Sequence, residues 1–321
     1  MKITNFAIIF SLLFVTMALP YYIESLEVSA ATETLLQYEN SLNNAVDDAI
    51  DAMVELDARS EIKINRDDAV ETFFHSLFIN LGMSNSSAAQ EQLRLYIPVI
   101  LITEQDGYYI YHSTLLNDDA GEGYRWEWTE KRPYSAEIDG NIYRFTMSGM
   151  LTYYDRATGK IIEGYRSDLA EIFPANETLS NAETFEAQRR FCIIDSIRED
   201  LKTFVNAHNI IADRYGITYQ FLLPYIDDEE WYRTVDDVSF LAVFQGYPYY
   251  SGAELGRFNK YAFGGARISK GDWFYITVKE DKRFYHRSEC SEVSLFGNGE
   301  VYYTKRQCAE TAAFPCQSCN P

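Results

Sequence analysis

Ile97-Pro98-Val99-Ile100-Leu101-Ile102-Thr103-Glu104-Gln105-Asp106-Gly107-Tyr108-Tyr109-Ile110-Tyr111-His112 decides the fold class. Two runs rich in β-branched and aromatic residues, at 97–103 and 108–112, flank Gln105-Asp106-Gly107. An aspartate-glycine tip between such runs is a hairpin signal, and a hairpin makes antiparallel sheet. Outward from it, 125–129, 141–147, 151–155 and 160–163 read as further strands, with a turn at Asp155 and Gly159. The expectation is one antiparallel meander of five or six strands. Residues 217–223, 239–245, 261–268 and 273–278 read as strands too, and Gly264-Gly265 interrupts the third as at a bulge or a close backbone approach.

The period then changes to that of helices. A run over 181–215 places Ile193, Ile194, Ile197, Leu201, Phe204, Val205, His208, Ile211 and Ala212 on one face, and Gly216 ends it. His208 on that face reads as a hydrogen-bonded core histidine, and Cys192 as a small buried hydrophobe. A shorter helix begins near Asn65, carries Val70, Phe73, Phe74, Leu77, Phe78 and Leu81 on its stripe, and stops before Gly82. His75 lies off that stripe and faces solvent. The class is α+β: an antiparallel sheet body, 61–278, with a long packing helix.

Before the body, residues 4–23 contain no charge, and twenty residues of helix rise about 30 Å, enough to span a hydrocarbon core. Lys2 precedes this stretch, whereas Glu24, Glu27, Glu33, Asp47, Asp48 and Asp51 follow it with no basic residue before Arg59. That asymmetry predicts 1–5 inside, a single-pass transmembrane anchor at 6–23, and the rest outside the membrane. Tyr21 and Tyr22 sit where interfacial aromatics belong. A cleaved signal peptide, cut near Thr16-Met17-Ala18 or Val28-Ser29-Ala30, stays open and also exports the body. Leu35, Tyr38, Leu42, Ala45, Ala49, Ala52 and Leu56 recur at spacings of 3 and 4, a heptad-like seam on a helical stalk over 24–60. It predicts either a helix packed on its own domain or a coiled coil.

Bulk numbers narrow the function. With 48 acidic and 28 basic residues the formal charge is −20, which opposes binding to nucleic acid, where Lys and Arg neutralise phosphates. Hydrophobic content of 47% excludes a disordered chain. The catalytic constellations searched for are missing: no Gly-x-Ser-x-Gly elbow, no His-Glu-x-x-His, no phosphate-cradling glycine loop. Asp227-Asp228-Glu229-Glu230 lacks the alternating spacing of a calcium loop and reads as a solvated helix start. No catalytic and no cofactor-binding residue is assigned.

The C-terminus, 279–321, carries the specific chemistry. His286-x3-Cys290, then twenty-five residues, then Cys316-x2-Cys319 is two ligand pairs with a spacer, the sequence form of a structural tetrahedral zinc site. Imidazole and thiolate donors suit Zn²⁺. Outside the cytoplasm a disulfide from Cys290 to Cys316 or Cys319 is the alternative. Phe284-Tyr285-His286-Arg287-Ser288-Glu289-Cys290, Val301-Tyr302-Tyr303-Thr304 and Ala312-Ala313-Phe314-Pro315-Cys316-Gln317-Ser318-Cys319-Asn320-Pro321 together resemble the Ada-type metal-binding domain, and more closely its stand-alone relatives on secreted nucleases and surface proteins. The resemblance implies His286, Cys290, Cys316 and Cys319 as metal ligands. It also implies that Cys308, at a position usually alanine, is not one. In the DNA-repair members the first ligand is a methyl-accepting cysteine; His286 at that position is not that nucleophile, so methyl-transfer repair is rejected.

In the body, Asn44-Ala45-Val46-Asp47-Asp48-Ala49, Tyr96-Ile97-Pro98-Val99 and Phe263-Gly264-Gly265-Ala266-Arg267-Ile268 are similar to uncharacterised exported proteins of clostridia-like bacteria, found with tight-adherence-type pilus or secretion machinery. The expectation is a membrane-anchored, extracytoplasmic, non-catalytic protein that acts through protein partners in the cell envelope and carries structural Zn²⁺. The alternatives are an extracellular ligand-sensing domain and a secreted hydrolase with a zinc tail.

Overall fold

A computed structural model describes residues 3–56, 62–118, 121–227, 230–231, 237–265, 274–279, 282–287, 290, 301–302, 308 and 311–319. The chain opens with α1 (Ile3–Met53), one continuous helix of 51 residues. A hairpin pair, β1 (Val54–Leu56) and β2 (Ile62–Ile64), follows, with Val54 opposite Ile64. Next come α2 (Arg66–Asn80), α3 (Ser87–Arg94), β3 (Val99–Glu104), β4 (Gly107–Asp118), β5 (Gly121–Trp128), β6 (Tyr134–Ile138), β7 (Asn141–Phe145), β8 (Met150–Asp155) and β9 (Lys160–Tyr165). Two short helices, α4 (Arg166–Ile172) and α5 (Glu177–Ser180), lead into the long α6 (Ala182–Arg214). β10 (Ser239–Ser251), β11 (Glu254–Gly265), β12 (Phe274–Lys279), β13 (Lys282–Arg287), β14 (Val301–Tyr302) and β15 (Phe314–Pro315) complete the described elements.

The strands do not form one meander. They make a five-stranded sheet, β11-β10-β3-β4-β5, a separate four-stranded sheet, β6-β7-β8-β9, and a third, β14-β12-β13-β15. The hairpin at Gln105-Asp106 joins β3 to β4, with Glu104 opposite Gly107. A side chain on Gly107 would run into the Arg132 carbonyl, and this close approach lets the Tyr108–Arg132 bridge carry the chain out of the first sheet. Pro133 lies between that bridge and β6. Reading 125–129 and 141–147 as neighbours overlooked β6, which starts the second sheet.

Helix α6 holds the two larger sheets together, packing on β3 and β4 of the first and β6 and β7 of the second. Its start is set by the Asn181 side chain, which accepts from the backbone N–H groups of Glu183 (2.9 Å) and Thr184 (3.2 Å). Ile193, Ile197, Leu201, Val205, Ile211 and Ala212 are buried on one face, and Gly216 takes a positive φ just past the end. The segment expected as a strand at 217–223 has no ladder partner among the described residues. Side-chain amides satisfy its backbone instead: Phe221 N–H donates to Asn209 Oδ1 (2.7 Å), Asn209 Nδ2 donates back to the Phe221 carbonyl (3.0 Å), and Leu222 N–H donates to Gln245 Oε1 (3.2 Å). A side chain can supply both halves of a backbone pair, so hydrophobic pattern alone does not make a strand.

Of the two readings of the helix over 24–60, the structure shows the one packed on its own domain. Leu42, Ala45, Val46, Ala49 and Met53 of α1 are buried in the main core, where α1 packs against α2, β10 and β11. Over 42–53 this face is covered by the chain's own body, where a coiled-coil partner would have to sit. The small side chains Ala45 and Ala49 permit the contact, and Gly264 of β11 completes it. A Cβ at Gly264 would overlap the Ile50 side chain and lie 2.9 Å from Val46 Cγ1. The N-terminal part of α1 behaves differently: Ile8, Phe10, Leu12, Phe14 and Met17 are exposed, and the helix is long and apolar enough there to cross a membrane.

Candidate metal centre

The tip begins earlier than residue 279, because β12 belongs to it. β12 and β13 pair antiparallel with Tyr275 opposite His286, and β15 adds to β13 in parallel, with Tyr285 beside Pro315. Cys316 N–H donates to the Tyr285 carbonyl (3.0 Å), which sets the third candidate ligand against the strand that carries His286. Cys290 lies four residues beyond His286, and Cys319 closes the turn after Cys316. A small apolar cluster of Phe274, Ile276, Cys308 and Ala313, backed by Tyr285, supports this frame.

His286 Nδ1, Cys290 Sγ, Cys316 Sγ and Cys319 Sγ approach one another so that one ligand atom from each lies within 4.8 Å of the rest. Donors on a tetrahedral shell at about 2.3 Å sit about 3.8 Å apart, the same scale as this spread. These four residues form a cluster able to hold a metal ion. His286 is buried, its Nδ1 lies 3.4 Å from Cys290 Sγ, and its Nε2 lies 2.7 Å from Thr277 Oγ1. With Nε2–H donating to the threonine, Nδ1 keeps its lone pair toward the thiols, the outer partner a ligating histidine needs. Burial pushes the Cys316 thiol up, but hydrogen bonds from the backbone N–H groups of Cys319 and Ser318 outweigh it and hold the thiol below its ordinary value. Such N–H groups favour thiolate, the form that ligates. None of the five cysteines is joined in a disulfide.

Cys308 stays outside the cluster. It is fully buried among Phe274, Ile276 and Ala313, and burial pushes its thiol up to about 11. It serves as a small apolar side chain, as does Cys192, whose thiol burial likewise raises to about 11. Thr277 and Ser318 had no sequence signal, since neither residue type at its spacing marks an outer partner.

The remaining candidate residues are not drawn together. His75 is exposed on α2. Asp228, Glu229 and Asp236 lie outside the described residues; Asp227 is exposed, and Glu230 accepts a hydrogen bond from the Tyr261 hydroxyl. His208 is the hydrogen-bonded core histidine that its place on α6 implied. Its Nε2 lies 2.8 Å from the Leu95 carbonyl and its Nδ1 2.8 Å from Ser113 Oγ. The carbonyl only accepts, so Nε2 carries the proton and Nδ1 accepts from the serine.

Burial lowers the His208 imidazole from 6.5 to about 4, against the opposing pull of the Leu95 carbonyl. Below pH 6.5 the unfolded chain binds a proton that the native chain refuses. Stability contributed by this residue is therefore complete above pH 6.5 and is lost as pH falls toward 4, by about 3 kcal/mol in all. Thermal melts between pH 7 and pH 4 are expected to show the fall. His208→Gln, whose amide can both accept from Ser113 and donate to Leu95, is expected to flatten it. An unchanged slope in that variant would assign the acid sensitivity to other groups.

Compared with family models, curated proteins and solved structures, the chain matches none.

Proposed function

We propose that the chain is a membrane-anchored, extracytoplasmic, non-catalytic protein that works through protein contacts in a surface assembly, with its C-terminal tip closed by structural Zn²⁺. The observation that carries the zinc is the convergence of His286, Cys290, Cys316 and Cys319 donors within 4.8 Å of one another. One imidazole and three thiols are the donor set of a closed structural zinc site, with every position taken by protein and none left for a reacting water. Bound there, the ion supplies cross-linking and no chemistry. Of the two readings of the cysteines, this one uses the buried His286 and its Thr277 partner, which a disulfide leaves without a role.

The anchor rests on the exposed apolar run of α1 and on the charges around it, Lys2 before and only acidic residues from Glu24 to Asp51 after. The resemblance of the tip to Ada-type metal-binding domains, and of body stretches to exported proteins near tight-adherence-type pilus machinery, supports the surface assembly. A net charge of −20 supports protein partners over nucleic acid.

In-cell cross-linking followed by purification of the full chain tests both halves at once. About one zinc per chain, five free thiols after denaturation and a discrete cross-linked partner are expected. His286→Ala is expected to lose the zinc. A zinc-free protein with fewer than five free thiols would make the tip a disulfide module, and a strictly monomeric, partner-free chain would overturn the assembly.

A further inference from the structure

The β10–β11 hairpin runs along α1 toward the apolar end of that helix. At its base Gly264 meets Val46 and Ile50. Further down, Lys260 Nζ pairs with Glu39 Oε1 at 3.3 Å. Beyond that, the Tyr38 ring meets Tyr247 and Phe258 edge-on, with ring centres 5.2 Å and 5.6 Å apart. At the tip Gly252 sits against the Glu27 carboxylate so closely that a Cβ there would overlap it. The hairpin thus descends the helix from residue 50 to residue 27. Glu27 lies four residues past Ile23, the end of the uncharged stretch, which at 1.5 Å per residue is about 6 Å.

What the hairpin presents at that level is apolar and aromatic. Tyr250 and Leu255 are directly paired across the strands, and they are 71% and 50% exposed. They lie on the face opposite Tyr247 and Phe258, because side chains alternate along a strand and the latter pair meets Tyr38 on α1. On the helix at the same height Leu26 and Val28 are also exposed, with Tyr21 and Tyr22 one turn below. Glu254 is the only charged residue from Tyr247 to Leu255. Tyrosine and leucine side chains at this depth suit the membrane–water interface, where an aromatic ring is half solvated and a carboxylate keeps its water.

Resting on the anchor reading of α1, we propose that the tip of the β10–β11 hairpin seats Tyr250 and Leu255 in the headgroup zone of the bilayer that α1 crosses. The chain then touches the membrane at two places, and the second contact holds the body at a set angle to the surface. The occupant of this patch is the lipid interface, and the position of the tip along the helix is the reason for choosing it over a protein.

The test places an environment-sensitive fluorescent amino acid at position 250, 17 or 47 of the full chain, in phosphatidylcholine nanodiscs carrying nitroxide lipids. Met17 lies within the apolar stretch, and Asp47 is exposed twenty residues, about 30 Å, beyond Glu27. Position 250 is expected to be quenched at least about twofold by headgroup nitroxide, position 17 by acyl-chain nitroxide, and position 47 by neither. Quenching at 17 with none at 250 would overturn the hairpin contact and leave the anchor standing. Equal quenching at 250 and 47 would also overturn it, since the contact would not be the hairpin's own. No quenching at 17 would remove the anchor and the hairpin contact together.

Discussion

Under the proposed zinc reading, serine at Cys316 is expected to abolish metal retention and open the tip to protease from Phe274 onward, while amide protection in the five-stranded sheet stays as it was. The asymmetry follows from the small apolar cluster that the described residues of the tip bury. Its cluster is Phe274, Ile276, Cys308 and Ala313 with Tyr285 alongside, separate from the main core. Burial of such side chains contributes about 1.5–3 kcal/mol each for the larger ones. Ordering a residue costs about 1.5 kcal/mol, so the cluster formed by the described residues offsets the ordering of only a few of them. A structural zinc ion contributes on the order of 10–16 kcal/mol in zinc-finger peptides, so under the proposed zinc reading its loss is expected to unfold the tip. The main core draws on α1, α2, α6 and two sheets, and its described residues include none of the four candidate ligands. Hydrogen exchange on the variant, with and without chelator on the wild type, is the measurement. Retained zinc or undiminished protection of β12 and β13 would show that the tip stands without its staple.

Valine at Gly246 is expected to destabilise the body by about 3 kcal/mol, combining backbone strain with overpacking. Gly246 has φ of +76°, a region that β-branched residues avoid, and it sits at the register shift between Gln245 and Tyr247. Its N–H donates to Asn259 Oδ1 at 3.0 Å, and a Cβ there would lie 2.5 Å from Tyr219 Cδ1 and 3.1 Å from Tyr219 Cβ. Because part of the overlap is with a Cβ close to the backbone, rotating the tyrosine ring does not relieve it. Gly246→Ala keeps the φ conflict with less bulk and is expected to fall between the two. Urea unfolding of the three proteins checks the order; a valine variant as stable as the wild type would mean the bulge adjusts freely. The same variant is informative for the hairpin's reach, since the bulge lies between the part of β10 in the core and the part that follows α1 outward.

The helices were legible because their signals are local. Asn65 and Asn181 cap their helices, Gly82 and Gly216 take positive φ beyond them, and the stripes on α2 and α6 are buried much as their spacing implied. The heptad-like seam of α1 was legible as a buried face, but not what buries it. A 3–4 repeat asks for an apolar surface and is indifferent to whether a second helix or a sheet supplies it. The strand pairing was less legible, since β10 inserts beside β3 after more than a hundred residues of intervening chain. Periodicity carries no information about which strand becomes the neighbour, and β6 and the unpaired segment at 217–223 show error in both directions.

For the candidate metal centre, the sequence by itself determined the donors: an imidazole four residues before one thiol and a pair of thiols near the end. It also determined the apolar run before the body, because crossing a membrane needs length and composition and nothing tertiary. Only the tertiary structure decided that Tyr285 draws Cys316 back against His286, that Thr277 receives its second nitrogen, and that Cys308 turns into the tip's core. The same structure carried the β10–β11 hairpin down α1 to Glu27. Ligand type is a property of a residue, whereas the company it keeps is set by strand pairing across distant parts of the chain, which no local pattern encodes.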